Sequence, residues 1–349
     1  MDIHLGIIGY GGMGKWHAKN AARAAGVKVA AVCDIDEEKI KEGTKDGFVT
    51  YSSAEELLAD SNVNTVVLTV PNHLHKEMCL KAAVAKKNVI TEKPAALSVA
   101  ELDEMESICK KEGVFLTVHQ NRRWDKDMLI IKKIYEEGIL GKIFSIESKL
   151  HSANGYMHEW HLYKKYGGGM LYDWGPHLID QILFMMPNAK IKSLYADIKN
   201  VLHEEVDDYF KILMKMDNGI TVHIELSTYM LKYAPRWVVG GDKGTAVINS
   251  FACDGTIYRT GKLLEKLPPQ ITETIAGPTR QFAPVPPGGI IEEPLPQVES
   301  DWVDFYKNVR DVLNGKAESL IKISEVRRVL AVMEAVRRSA ESGEAIAFE

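Results

Sequence analysis

The stretch LGIIGYGGMGKWHAKNAARA, residues 5–24, sets a short apolar run against a glycine turn and an alanine-rich segment, and AAVCDID, residues 30–36, answers it. Leu5 to Ile8 read as a buried strand, and the residues after the glycines as a helix. Gly9 permits the tight turn, Gly11 lets the backbone approach a pyrophosphate, and Gly14 lets the helix pack closely on the strand. The free N–H groups and positive end of the helix then face the phosphates. Asp34 lies twenty residues beyond Gly14, after the apolar run Val27 to Val32. A carboxylate there accepts from both ribose hydroxyls, which favours NAD over NADP. Lys39 is the nearest cation that would meet a 2′-phosphate, and it falls along the next helix.

Working outward, VVLTVPN (66–72), the end of AAVAKKNVITEKP (82–94) and GVFLTVHQN (113–121) read as three further strands, with helices between them. That alternation predicts a doubly wound parallel sheet, whose ligands collect beyond the carboxyl ends of its strands. The residues just after each strand therefore carry the site: Pro71 and Asn72, Glu92 to Pro94, and His119 to Arg123.

The texture changes near residue 124. A helix from Asp125 to Gly138 leads to IFSIESKL (143–150) and then to several runs of alternating polarity, two of them joined by Asp217-Asn218-Gly219, a hairpin turn. These predict an α+β second unit with a large, mostly antiparallel sheet, open on one face. The expected units are 1–123, binding the nucleotide, and 124–349, binding substrate and mediating self-association. An open apolar sheet face predicts a homo-oligomer. Residues 261–300 hold eight of the chain's thirteen prolines and read as an extended excursion, either an arm or a surface loop. Helices are expected from Asp301 to Leu313 and from Ser324 to Ser342, with Val326, Val329, Leu330, Met333 and Val336 as core.

The formal charge of -5, with acids and bases interspersed, offers no basic stripe for nucleic acid and no polybasic membrane anchor. No stretch reaches membrane-spanning length. The four cysteines, Cys33, Cys79, Cys109 and Cys253, show no metal or disulfide spacing, and with no leader-like N-terminus they point to a reducing cytoplasm.

Reactive side chains concentrate in ITEKPAA (90–96), HQNRRW (119–124) and GGGMLYDWGPHLID (167–180). On a helix, Asp173, His177 and Asp180 would share one face. Histidine suits proton transfer near neutrality, and a carboxylate beside it would orient its ring. Lys93, at a strand end, would hydrogen-bond a reacting oxygen and stabilise alkoxide character. Asn121, Arg122 and Arg123 stand near enough to meet substrate hydroxyls or the cofactor. The aromatic-rich loop with Tyr156, His158, Trp160 and Tyr163 suits stacking on a sugar ring. The pairs His158/His161 and His73/His75 lack a third ligand at standard spacing, so no metal is expected.

Together with GYGGMG and its nearby His17, the Val70 to His75 element, Glu92-Lys93-Pro94 and the run from Asp173 to Asp180, the chain resembles the glucose-fructose oxidoreductase and inositol dehydrogenase family, Gfo/Idh/MocA, over essentially its whole length. The resemblance implies Lys93, Asp173 and His177 as the catalytic group. Cofactor contacts are expected from Gly9, Tyr10, Gly11, Gly12, Met13, Gly14 and Asp34, and from Pro71, Asn72, His75, Glu92 and Lys93. Substrate contacts are expected from Asn121, Arg123, Tyr156, His158, Trp160, Asp173 and His177. His161 departs from the arginine that often follows the family's tryptophan. The activity implied is NAD-dependent oxidation of a secondary hydroxyl in a sugar, cyclitol or glycoside. Two alternatives stand beside it: a redox-neutral enzyme with tightly held NAD, and a non-catalytic nucleotide sensor.

Overall fold

The computed structural model describes residues 2–260, 271–280, 285 and 287–348. The first unit runs β1 (Ile3–Ile8), α1 (Gly12–Ala21), β2 (Val27–Cys33), α2 (Glu37–Lys45), β3 (Val49–Tyr51), α3 (Ala54–Ala59), β4 (Thr65–Leu68), α4 (His75–Val84), β5 (Asn88–Thr91), α5 (Val99–Glu112) and β6 (Leu116–Val118). Its six parallel strands lie in the order β3-β2-β1-β4-β5-β6. The central strands are apolar throughout because helices cover both faces; every residue of β4 is buried. The strand β3 and helix α3 were not among the expected elements. Three partly exposed residues at a sheet edge carry too little apolar signal to be read from sequence.

The second unit runs α6 (Lys126–Glu136), β7 (Ile143–His151), α7 (Met170–Asp173), α8 (Gly175–Met185), β8 (Ile191–Lys199), β9 (Tyr209–Met216), β10 (Thr221–Ser227), β11 (Trp237–Gly241), β12 (Gly244–Ile248) and β13 (Gly255–Thr260). A small hairpin, β14 (Thr272–Thr274) with β15 (Gly277–Thr279), precedes β16 (Ile290–Glu293), α9 (Val303–Leu313), α10 (Ile323–Ser342) and β17 (Ile346–Ala347). Nine strands form its sheet, antiparallel except where β7 and β10 pair in parallel. The Asp217-Asn218-Gly219 turn joins β9 to β10, with Gly219 at φ +87°. Helices α8 and α10 pack together, α10 against β8, and the expected core residues of α10 are all buried. The other face leaves Phe144, Tyr195 and Leu213 exposed.

Within the proline-rich stretch, β16 adds to the sheet edge through β13. Pro268, Pro269 and Pro286 lie outside the described residues. Helix α9 lies past the 123/124 line yet packs on α1, where Arg23 pairs with Asp301 at 2.7 Å. Helix α10 likewise contacts α5 and β6, so two helices return to the nucleotide-binding unit before β17 completes the second sheet.

Candidate active site

The glycine turn is held by close backbone contacts. At φ +96°, Gly9 occupies the left-handed region, and a Cβ there would meet the Thr69 carbonyl at 2.6 Å. A Cβ on Gly14 would stand 2.1 Å from the Gly9 carbonyl oxygen. By contrast, a Cβ on Gly11 or Gly12 would meet no protein atom within 4 Å and would project into open space. That space belongs to a cleft of about 730 Å³, bordered by Gly9, Gly11, Gly12 and Met13, by Asp34, Pro71, Asn72 and His75, and by Lys93 and Asp173. The cradle fits a dinucleotide: bare backbone where phosphates approach, a helix N-terminus behind them, and a carboxylate at the ribose end.

Asp34 is locked in place, its two oxygens accepting from the N–H groups of Tyr10 at 2.7 Å and Asp36 at 3.0 Å. Lys39 is committed to Glu42 at 3.3 Å. Thr69, which the strand-end rule would have found one residue past β4, donates its hydroxyl proton to the Gly9 carbonyl at 2.5 Å. Of the expected cofactor contacts, Tyr10 needs correcting, whereas Asn72 and His75 line the cleft but have polar atoms engaged within the protein. The Tyr10 ring is buried, packs on Phe48 and donates to Asp46, so its side chain stays in the core. Both ring nitrogens of His75 are taken by the carbonyls of Pro94 and Val70, at 2.7 and 2.9 Å. Asn72 spends its amide on the Gly167 carbonyl at 2.8 Å, tying the two units together.

Across the cleft, the expected continuous helix from Asp173 to Asp180 is broken at Trp174, because Gly175 and Pro176 begin a new helix there. Asp173 therefore sits on a separate short turn. Its carboxylate does not contact His177 but accepts from the Lys93 ammonium at 2.6 Å, and its backbone carbonyl accepts from the same nitrogen at 2.8 Å. Burial would push the Asp173 carboxyl up, yet the Lys93 charge wins and holds it below its usual range. The Lys93-Pro94 bond is cis.

His177 is buried, and its Nδ1 has no partner among the described residues. Burial, the Lys93 charge and then the Arg122 charge drive its proton affinity well below the ordinary imidazole value. It is thus a neutral base close to an ammonium. Arg122 lies over the Trp174 ring, 4.1 Å from its centroid. Along the loop after β6, Gln120 Oε1, Asn121 Oδ1 and Arg122 Nε are buried without partners among the described residues, a row of polar atoms suited to a hydroxylated ligand.

Arg123 is a second correction. It is 3% exposed, makes a bidentate pair with Asp180 at 2.7 and 2.8 Å, and reaches Glu325 at 2.8 Å. It braces α8 against α10 and has nothing left for substrate; both Asp180 oxygens are likewise spent on it. His158 and Trp160 border the cleft itself, whereas Tyr156 is 69% exposed and stacks on His158. The resulting wall, with Trp160 stacked on His161 at 3.8 Å, closes the cleft from the second unit.

Glu92 borders the cleft, but both of its oxygens are spent on protein donors. Oε1 accepts from His17 Nε2 at 2.8 Å and His119 Nδ1 at 2.9 Å, and Oε2 accepts from the Lys93 backbone N–H at 3.1 Å. The other nitrogen of His17 meets the Tyr306 hydroxyl of α9. Sequence spacing could not show this group, since its members come from α1, β5, β6 and α9.

Comparison with known proteins agrees with this architecture. Residues 3–120 match the oxidoreductase family model for an NAD-binding Rossmann fold, and residues 128–247 match the GFO/IDH/MocA C-terminal domain. The crystal structure of an NAD-binding protein from Listeria innocua is 36% identical, covers all of both chains and superposes with a TM-score of 0.94. The oxidoreductase YdgJ of Escherichia coli is 28% identical over 95% of each chain. The scyllo-inositol 2-dehydrogenase (NADP(+)) IolW of Bacillus subtilis is 26% identical over 99% of this chain and 96% of its own. With both halves of the fold matched and a glycine cradle facing a lysine, an aspartate and a histidine, the chain belongs to the Gfo/Idh/MocA family of NAD(P)-binding oxidoreductases.

Proposed function

We propose that this protein is an NAD-dependent dehydrogenase acting on a secondary hydroxyl of a sugar, cyclitol or glycoside. One observation carries the reading: the Lys93 ammonium, fixed by Asp173, borders the glycine cradle and lies close enough to the buried His177 for its charge to lower that histidine's proton affinity. Bound nicotinamide would supply the hydride acceptor. The protein's part is to manage the hydroxyl. His177 takes its proton, Lys93 donates a hydrogen bond to the oxygen as negative charge develops, and Asp173 aims the lysine. The unpartnered atoms of Gln120 and Asn121 would orient neighbouring hydroxyls. The His158-Trp160-His161 wall keeps water from the reacting atoms.

NAD is favoured because Asp34 is held as a carboxylate where a 2′-phosphate would stand, and Lys39 is already paired. We place the protein in a reducing cytoplasm, where the buried thiols of Cys79 and Cys109, 3.8 Å apart, stay reduced. We also propose a homo-oligomer formed through the exposed apolar side chains of the second sheet. No described helix is long and apolar enough to cross a membrane.

The test is a panel of inositols, free sugars, uronates and glycosides, offered with NAD or NADP while nicotinamide absorbance and product mass are followed. Oxidation of a hydroxyl with matching NADH formation supports the reading. Product without accumulating NADH would move it to redox-neutral chemistry, and nucleotide binding with no turnover on any member would reject it.

A further inference from the structure

Glu92 takes no part in the proton transfer proposed above, yet its carboxylate is buried beside the catalytic lysine and fully engaged. Burial alone would push this carboxyl up, but donation from His119 and His17 holds it well below its usual range. It is therefore a buried anion, which is costly unless its surroundings are built for it. They are built for it. His17 has its own proton affinity lowered to about 4, chiefly by burial, so it carries a single N–H. That proton points to Glu92, and the opposite nitrogen accepts from the Tyr306 hydroxyl. Trp16 and Phe305 wall His119 at ring separations of 5.3 and 4.8 Å, leaving the group no freedom to shift.

The consequence falls on Lys93. Its ammonium ends a flexible four-carbon stem that would otherwise sample many rotamers, whereas a reacting group must be held to within about 0.5 Å. Asp173 holds the far end of that stem. The near end is held by Glu92 Oε2 on the Lys93 N–H and, one residue on, by His75 Nδ1 on the Pro94 carbonyl. The first of these holds is only as rigid as the Glu92 carboxylate, and helix α9 supports that carboxylate through Tyr306.

We propose that Glu92 is a positioning residue for the Lys93 amine, and that the His17-Glu92-His119 group, backed by Tyr306, is the support through which α9 sets the lysine's geometry. This rests on the dehydrogenase reading of Lys93. A metal is the competing use, because one ligand atom from each of His17, Glu92 and His119 lies within 4.8 Å of the others. The short N–H to carboxylate contacts favour the hydrogen-bonded group.

The experiment uses full-length Glu92→Gln and Tyr306→Phe, with Lys93→Met as reference, assayed on the fastest substrate of the panel. Glu92→Gln keeps the shape, but with its oxygen toward the two imidazoles it puts an NH2 donor where Oε2 accepts from the Lys93 N–H. It should lose about 10- to 100-fold in kcat, the scale of a small misplacement, with KM and the NAD dissociation constant within about twofold of the parent. Tyr306→Phe should show the same split more weakly, and it serves alone if Glu92→Gln does not fold. A crystal structure of Glu92→Gln should show the amine displaced from Asp173. Unchanged kcat with the amine still on Asp173, while Lys93→Met is inactive, overturns the positioning role and leaves the dehydrogenase reading intact. If Lys93→Met keeps its turnover, the dehydrogenase reading fails first, and the amine's place in the Glu92→Gln crystal still decides whether Glu92 positions it. One equivalent of a divalent metal in the purified protein, lost in Glu92→Gln, would overturn the proposal in favour of a metal centre.

Discussion

The Lys93 ammonium is chelated by a single residue, 2.6 Å from the carboxylate of Asp173 and 2.8 Å from its backbone carbonyl. The two lie on opposite units of the molecule and meet at the cleft. Because the carboxylate holds the amine and not the imidazole, the proposed mechanism divides the work: Asp173 would aim Lys93, while His177 would accept the proton.

Lys93→Met should therefore separate binding from turnover. The glycines and Asp34 stay in place in this variant, so NAD affinity, read by fluorescence titration, should stay within about twofold, while kcat falls by at least about 100-fold. Preserved turnover would remove Lys93 from the mechanism.

The pH profile follows from His177. A base whose proton affinity lies well below the ordinary histidine value remains deprotonated into acid, so the acid limb of kcat/KM should fall clearly below pH 6.5. Burial is the main cause, then the charges of Lys93 and Arg122. Removing one positive charge favours the protonated ring, so Arg122→Gln should move the acid limb to higher pH. A limb that stays put would assign it to another group.

Arg123 tests the separation of structure from chemistry. Arg123→Met leaves the buried Asp180 carboxylate without its bidentate partner and should cost about 3–5 kcal/mol in urea unfolding. Pairing it with Asp180→Leu removes the stranded charge and should recover most of that loss. A single variant of normal stability but impaired substrate KM would return Arg123 to the substrate site.

Asp207 predicts a pH-dependent stability. Its carboxyl accepts from the Leu171 N–H at the start of α7, the turn carrying Asp173, and burial raises its pKa from 3.8 to about 6. Between these values the folded protein keeps a proton that the unfolded chain has released. The contribution is therefore full below pH 3.8 and is lost as pH rises through 6, by about 3 kcal/mol. Asp207→Asn keeps an acceptor for Leu171 and has no proton to lose. Relative to the parent, it should gain urea stability from pH 5 to pH 8, and equal slopes would refute the assignment.

Much of the site was legible because local chemistry demands particular residues locally. Gly9 and Gly14 tolerate no side chain, Asp34 follows the second strand, and Lys93 ends the fourth of the expected strands. The aspartate and histidine of the 173–180 run were read as one constellation, and there the reading went astray. A helical wheel assumes an unbroken helix, but Pro176 restarts it, which sends Asp173 to Lys93 and Asp180 to Arg123. Arg122 and Arg123 are adjacent and chemically identical, and nothing short of tertiary packing could tell which would lie over Trp174 and which would brace α10.

By itself, then, the order of residues determined the parallel nucleotide-binding sheet and the second open-faced sheet, because periodicity and glycine turns act over a few neighbouring positions. Only the folded chain decided who partners whom. Glu92 meets His17 and His119, His17 meets Tyr306 across 289 positions of sequence, and a buried charge takes whichever donors packing brings within about 3 Å.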